Sequence, residues 1–489
     1  MNVSRHSLIF GLSYALDIAG KNNLSHSKST AYLSVLIGRK IGLDEHSIRE
    51  IYYAALLHDI GLSNTYKIME HCVDGEKMVR KLPLSDEIAE SVFYHHEYYD
   101  GSGVFRMPGD YVPIYAQIIS FSSMFDDNFG KLADEFDRNL FSQVCQYLKD
   151  NHMLFSREIL GAFDILINQE SFLLDYFNRE TMYTMSKKII VNDNVNYGYN
   201  DILKYARCFA DIIDRKSRFT FTHSNGIAKL AQRVTAHLGY DVETQNKMHI
   251  AGLLHDIGKL YTNVDILHKP DKLNAEERFE INKHPYYTRK ILEQIKGFED
   301  ITEFAANHHE KLDGSGYPSH IDSEQLHELD KVMAICDIYQ ALTEERPYRA
   351  KLADAIVWKI IGEMADSLHL DQELCATVKR ILSIKLVNDN DRNDGGEGSE
   401  DGKSGEGGKN GEGGKSKGDG SDSGGRQDNS DEKNDGDDDE RNDDDIDEYH
   451  DDEEDEEDEY DEEDEQDVKG VNDEKHDDPG EDDSRKRSA

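Results

Sequence analysis

The stretch "VETQNKMHIAGLLHDIGKL", Val242 to Leu260, has a counterpart earlier in the chain: "DEHSIREIYYAALLHDIGL", Asp44 to Leu62. Both place apolar residues at helical spacing. In the second copy Met248, Leu253, Leu254 and Ile257 form one face, and Gly258 loosens the end. Each closes on a histidine followed by an aspartate, His58-Asp59 and His255-Asp256. Imidazole and carboxylate are ligand types suited to first-row metals, although a lone His-Asp pair is more often a structural hydrogen bond.

Outward from these pairs the repetition continues. His26 precedes His58 by 32 residues, and His223 precedes His255 by 32. His71 precedes His95 by 24 residues, and His284 precedes His308 by 24. Each last histidine sits in a similar phrase, "YHHEYYDGSGVFRMP" from Tyr94 and "NHHEKLDGSGYPSHI" from Asn307. The middle interval differs, 13 residues against 29, and the extra 16 lie within "YTNVDILHKPDKLNAEERF", Tyr261 to Phe279. This is a tandem duplication, with repeats at about 1–180 and 200–386 joined near "SKKIIVNDNVNYGYN". Strict alternation and hairpin chemistry are scarce and there are only eight prolines, so the expected fold is all-α, two tandem helical bundles.

Charge divides the chain differently. The whole carries −44, but residues 388–489 hold 45 acidic and 13 basic residues, leaving −12 for the body. Those residues are Gly/Ser-rich and then polyacidic, with too little apolar surface to offset ordering, and are expected to be a disordered acidic tail. A solubilising role is the plain reading, and capture of a basic partner or divalent cations the alternative. The body lacks the clustered Lys and Arg of a nucleic-acid footprint, so no nucleic-acid polymer is expected as partner. Cys72, Cys145, Cys208, Cys336 and Cys375 form no C-x-x-C pair, which suits reduced thiols and a cytoplasmic protein. The apolar run "LIFGLSYALDIAG", Leu8 to Gly20, is broken by Asp17 and is too short for a span; it reads as an amphipathic helix, with no membrane association.

In the second repeat His223, His255, Asp256, His284, His308, His309 and Asp337 give seven nitrogen and oxygen donors. That is too many for one tetrahedral ion and suits two, an arrangement used for in-line attack at phosphorus by a hydroxide shared between the metals. Lys259 shares a helix face with His255 and Asp256, where it can assist the leaving oxygen. Gly314, Gly316 and Pro318 read as turn residues, and Tyr317 as either a packing residue or a platform for a base.

The words "LLHDIGK" (Leu253–Lys259), "HHEKLDGSGYP" (His308–Pro318) and "CDIYQALTEERPYR" (Cys336–Arg349) resemble the HD-GYP family of the HD metal-dependent phosphohydrolase superfamily over roughly residues 200–386. The resemblance implies an all-α bundle that hydrolyses cyclic di-GMP to linear pGpG and on towards GMP. Cyclic GMP-AMP, another nucleotide, or a non-catalytic sensing scaffold are the alternatives. It implies one metal on His223, His255, Asp256 and Asp337, and a second on Asp256, His284, His308 and His309. Fe or Mn is the foremost choice, with Zn, Ni and Mg open. Asp256 and Lys259 take catalytic parts, and Arg346, Arg349 and Tyr317 meet the substrate. Phe219 stands where three-metal members carry glutamate, which points to two ions, and Gln340 stands where many members carry aspartate.

The first repeat, residues 1–180, keeps His26, His58, Asp59, His71, His95 and His96 as a vestigial metal cradle and resembles a degenerate HD domain. Ser123 takes the place of Asp337, Leu62 that of Lys259, and Val104-Phe105 that of Tyr317-Pro318. Asp126 falls at the Gln340 position, nearly one helical turn from where a ligand is needed. A regulatory or dimerising module, a metal or nucleotide sensor, and a second hydrolase all remain open, and a bundle of this kind can form a homodimer.

Overall fold

In the computed structural model each repeat begins with a helix that precedes its first histidine in the chain. The description covers residues 1–20, 25–63, 67–129, 138–178, 184, 193–216, 223–269, 272–344 and 351–390. The expected tail from residue 391 onward and the positions of Phe219, Arg346 and Arg349 lie outside it.

The first repeat runs through helices Arg5–Gly20, His26–Lys40, Glu45–Leu57, Ile68–Val79, Asp86–Tyr94 and Ile114–Phe129. The second matches them with Tyr199–Lys216, His223–His237, Val242–Leu254, His284–Leu292, Glu299–Ala306 and Glu328–Thr343. The chemistry repeats with the topology. Asp44 caps its helix by accepting from the Ser47 amide at 2.8 Å, and Asp241 does the same for Thr244 at 2.8 Å. Each His-Asp pair ends a helix that gives way to a 3₁₀ turn, Ile60–Ser63 or Ile257–Leu260. The second-repeat insertion folds as Val264–Leu267 and Ala275–Asn282, the latter opened by an Asn274–Glu277 capping box. Among the described residues the sole sheet is a two-stranded antiparallel pair, Val3 opposite Tyr197 and Ser4 opposite Asn196. The fold is all-α.

Both repeats belong to one compact unit. The N-terminal helix Arg5–Gly20 differs from its amphipathic expectation, for it is buried on nearly every face. It packs against the Ile60–Ser63 turn of its own repeat and against Ile257–Leu260 and His284–Leu292 of the other, so both faces are covered. A Cβ on Gly11 would lie 2.4 Å from the Ile295 side chain, and the Lys296 amide donates to Ser7 Oγ at 2.8 Å. Asp17, the residue that interrupts the apolar run, is 4% exposed and accepts from the Ser27 amide at 2.8 Å. Beside this helix Arg5 Nε donates to Asp193 Oδ2 at 2.9 Å, and the Tyr53 hydroxyl donates to the same oxygen. No helix among the described residues is long and apolar enough to cross a membrane.

Candidate metal centre

The second-repeat donors arrive from five segments: six of the donors meet at the ends of helices, and Asp337 comes from within Glu328–Thr343. His223 opens one helix, His255 and Asp256 end the next, His284 opens a third, and His308 and His309 follow Glu299–Ala306. Gly258 makes this convergence possible. A Cβ there would lie 1.9 Å from the His284 carbonyl oxygen and 2.6 Å from the Thr288 amide, so the turn can touch the incoming helix only without a side chain. Its role is close approach, not the looser helix end read from the sequence. Thr288 Oγ1 then seals the joint, donating to the His255 carbonyl at 2.8 Å and accepting from the Gly258 amide at 3.0 Å.

Three histidines are oriented by the same device. His255, His284 and His308 donate Nδ1–H to the carbonyls of Gly252, Ile281 and Ala305 at 3.0, 2.9 and 2.7 Å. Each Nε2 lone pair therefore faces the centre. His284 Nε2 and His308 Nε2 stand 3.1 Å apart, two acceptors face to face. Asp256 Oδ1 lies 3.3 Å from His284 Nε2, while its Oδ2 lies 3.2 Å from His255 Nε2 and accepts from Lys259 Nζ at 2.8 Å. Asp337 Oδ1 is 3.7 Å from His223 Nε2 and 3.8 Å from His255 Nε2. The buried atoms His255 Nε2 and Asp256 Oδ1 have no hydrogen-bond partner. Facing lone pairs and orphaned buried donors are costly unless a cation sits among them, so these residues fit divalent metal.

The electrostatics agree for His284, His308 and His309. Burial depresses His308 to about 4 and holds His284 and His309 well below the usual imidazole range, leaving neutral ligands at neutral pH. Burial also opposes charge on His255, but Asp256 and Asp337 outweigh it and lift its pKa to about 9. For Asp256 burial favours the neutral acid, yet His255 and Lys259 hold it well below the carboxylate range. Tyr317 stacks on the His309 ring, centroids 4.9 Å apart and planes 27° apart, so its ring lies against a donor side chain.

Several supporting residues escaped the sequence reading. Glu310 is buried and accepts from the Ser319 and Ile321 amides at 2.7 and 3.3 Å, folding the glycine turn back onto the histidines; Glu97 does the same for Phe105 and Met107 at 2.6 and 2.7 Å. Glu344 Oε2 takes His223 Nδ1 at 2.7 Å and is held by Gln340 Nε2 at 2.6 Å. In the first repeat the corresponding place is filled directly by Asp126, whose Oδ2 is 2.8 Å from His26 Nδ1. A carboxylate lost at position 340 is thus recovered one turn later, and the signal was the i, i+4 spacing of Gln340 and Glu344. Glu344→Ala is expected to weaken metal affinity roughly 10- to 100-fold, as for other partners that orient a ligand. Adding Gln340→Asp should restore most of it, as read by the Mn²⁺ dependence of turnover.

The first-repeat set also assembles. His71 Nε2 is 3.0 Å from His95 Nε2, and Asp59 lies within 3.8 Å of His26, His58, His71 and His95. Ser123 Oγ reaches His26 Nε2 at 3.3 Å where Asp337 faces His223.

Sequence comparison agrees with this duplicated architecture. One profile, described as HD domain, matches residues 207–374, and a second of the same description matches residues 23–125. A 3′3′-cGAMP-specific phosphodiesterase 1 from Vibrio cholerae is 29% identical over 403 residues, covering 78% of this chain and 92% of that protein. The chain belongs to the HD-domain family. As a member it is a metal-dependent phosphodiesterase with an additional HD domain ahead of the first-matched one. A cyclic di-GMP phosphodiesterase from Pseudomonas aeruginosa is 31% identical to this HD-domain chain over 153 residues, 30% of this chain and 36% of that one. The crystal structure of a cyclic GMP-AMP specific phosphodiesterase of V. cholerae shares the fold, with TM-score 0.60 and 21% identity over 78% of this chain and 98% of that one.

Proposed function

We propose that the second repeat hydrolyses cyclic dinucleotides, 3′3′-cGAMP foremost, at a two-metal centre. The observation that carries the reading is the seven-donor cluster with His284 and His308 presenting facing Nε2 lone pairs 3.1 Å apart beside Asp256. One ion would rest on His223, His255, Asp256 and Asp337, the other on Asp256, His284, His308 and His309. Bound ions supply Lewis acidity and an activated water. The residues do the rest. Asp256 is shared between the two donor groups, and Lys259 holds its Oδ2 while setting a cation beside charge that develops on phosphate. Tyr317 keeps the His309 ring in place. Arg346 and Arg349 are the candidates for gripping the non-reacting phosphate oxygens, through guanidinium forks. In the reaction the water oxygen bonds to phosphorus, the P–O3′ bond breaks, the 3′ oxygen takes a proton, and a linear dinucleotide with a 5′-phosphate leaves.

The ranking of substrates follows the relatives. The cGAMP-specific protein aligns across 78% of the chain, more than either repeat alone, whereas the cyclic di-GMP enzyme aligns over 153 residues. Cyclic di-GMP is the second reading. We assign hydrolysis to residues 200–386, a non-hydrolytic module to residues 1–180, and a solubilising role in the cytoplasm to the acidic tail. Measuring kcat/KM on 3′3′-cGAMP and cyclic di-GMP with metal-loaded protein tests the order. A higher value for 3′3′-cGAMP supports it, a higher value for cyclic di-GMP reverses it, and inertness to both rejects the reading.

A further inference from the structure

We propose that the first repeat holds a single divalent transition-metal ion on Asp59, His71, His95 and His96. These four residues each offer a ligand atom, and the four atoms lie within 4.8 Å of one another. Three imidazoles and a carboxylate make a tetrahedral set for a first-row ion. His95 donates Nδ1–H to the Val92 carbonyl at 2.6 Å, the device that turns His308 in the second repeat, so its Nε2 lone pair faces His71 Nε2 at 3.0 Å. Asp59 Oδ1 stands 3.6 Å from His71 Nε2 and 3.8 Å from His95 Nε2. The His71 and His95 side chains are no more than 2% exposed. Asp59 (18% exposed) and the half-buried His96 leave a way in.

The same geometry limits the site to one ion. On the other side of Asp59, His26 is engaged at both nitrogens: Nδ1 by Asp126 Oδ2 at 2.8 Å and Nε2 by Ser123 Oγ at 3.3 Å. Asp126 is itself fixed by the Tyr176 hydroxyl, which donates to its other oxygen at 2.8 Å. The three donors His26, His58 and Asp59 do cluster, but their fourth corner is the Ser123 hydroxyl, a poor ligand beside the carboxylate of Asp337. With no second ion and Leu62 in place of a lysine, the centre has no hydrolytic pair. It instead ties together the ends of three segments, Glu45–Leu57, Ile68–Val79 and Asp86–Tyr94, as a structural ion would.

The test is a Co²⁺ titration of the metal-stripped full-length chain, followed by visible d–d absorption and by bound cobalt per chain. It does not depend on the substrate. The wild type is expected to take three equivalents and His96→Ala two, with native helicity by circular dichroism. In an Asp256→Ala background, one equivalent with a four-coordinate spectrum should remain, and adding His96→Ala or Asp59→Asn should abolish it. The two variants differ in burial, so a folding failure in one leaves the other to decide. An Asp256→Ala chain that is folded yet binds no cobalt, or binds it unchanged after both first-repeat substitutions, overturns the proposal. A wild-type count of one, retained in Asp256→Ala, would instead sink the two-metal reading of the second repeat and leave this site standing.

Discussion

Alanine in place of Gly258 is expected to destabilise the protein by about 3 kcal/mol or more, at the upper end for overpacking, because the obstacle is backbone. The added methyl would sit 1.9 Å from the His284 carbonyl oxygen and 2.6 Å from the Thr288 amide. No rotamer change can relieve that contact, so the Ile257–Leu260 turn and the His284–Leu292 helix must part. Parting them separates His255 and Asp256 from His284, and breaks the Thr288 hydroxyl's bonds to both sides of the joint. The urea midpoint should fall and metal content should fall with it. Gly61→Ala meets the same obstacle in the first repeat, 2.0 Å from the His71 carbonyl oxygen. A normal midpoint with a full metal complement in Gly258→Ala would show that the two segments do not depend on this approach.

Asparagine in place of Asp256 should cost both second-repeat ions more than the roughly 100-fold in affinity that an orienting partner is worth. Asp256 faces both donor groups, with Oδ2 3.2 Å from His255 and Oδ1 3.3 Å from His284. An amide of the same shape keeps the packing but removes the charge that both groups share, and it leaves Lys259 beside the site without its carboxylate. Metal analysis after dialysis should find the second-repeat ions gone and the helicity unchanged. Loss of one ion with retention of the other would mean that the carboxylate serves one group alone.

Much of this was legible in the sequence because most of the donors lie at helix ends. The 32- and 24-residue intervals survive duplication since each measures whole helices between ligands, and the seven second-repeat residues fall in three groups that share His255 and His308. Helical periodicity carried the all-α fold for the same reason. What stayed hidden depends on approach between segments distant in the chain. Burial of Arg5–Gly20 on nearly all faces needs the second repeat, which no local pattern announces. The part of Gly258 needs the path of the His284 helix, and Glu310 looks like any loop carboxylate until the glycine turn folds over it. Gln340 reads as a loss until Glu344, one turn on, is seen to hold His223.

The most direct test of the central claim is product chromatography with the full-length chain, loaded anaerobically with Mn²⁺ or Fe²⁺ and incubated with 3′3′-cGAMP and with cyclic di-GMP. A parallel sample carries His255→Ala and Asp256→Ala together. The linear dinucleotide is expected to form with the intact protein and to be absent from the doubly substituted one. Equal product from both samples, or none from intact protein whose second repeat holds two ions, would contradict the assignment of hydrolysis to this site.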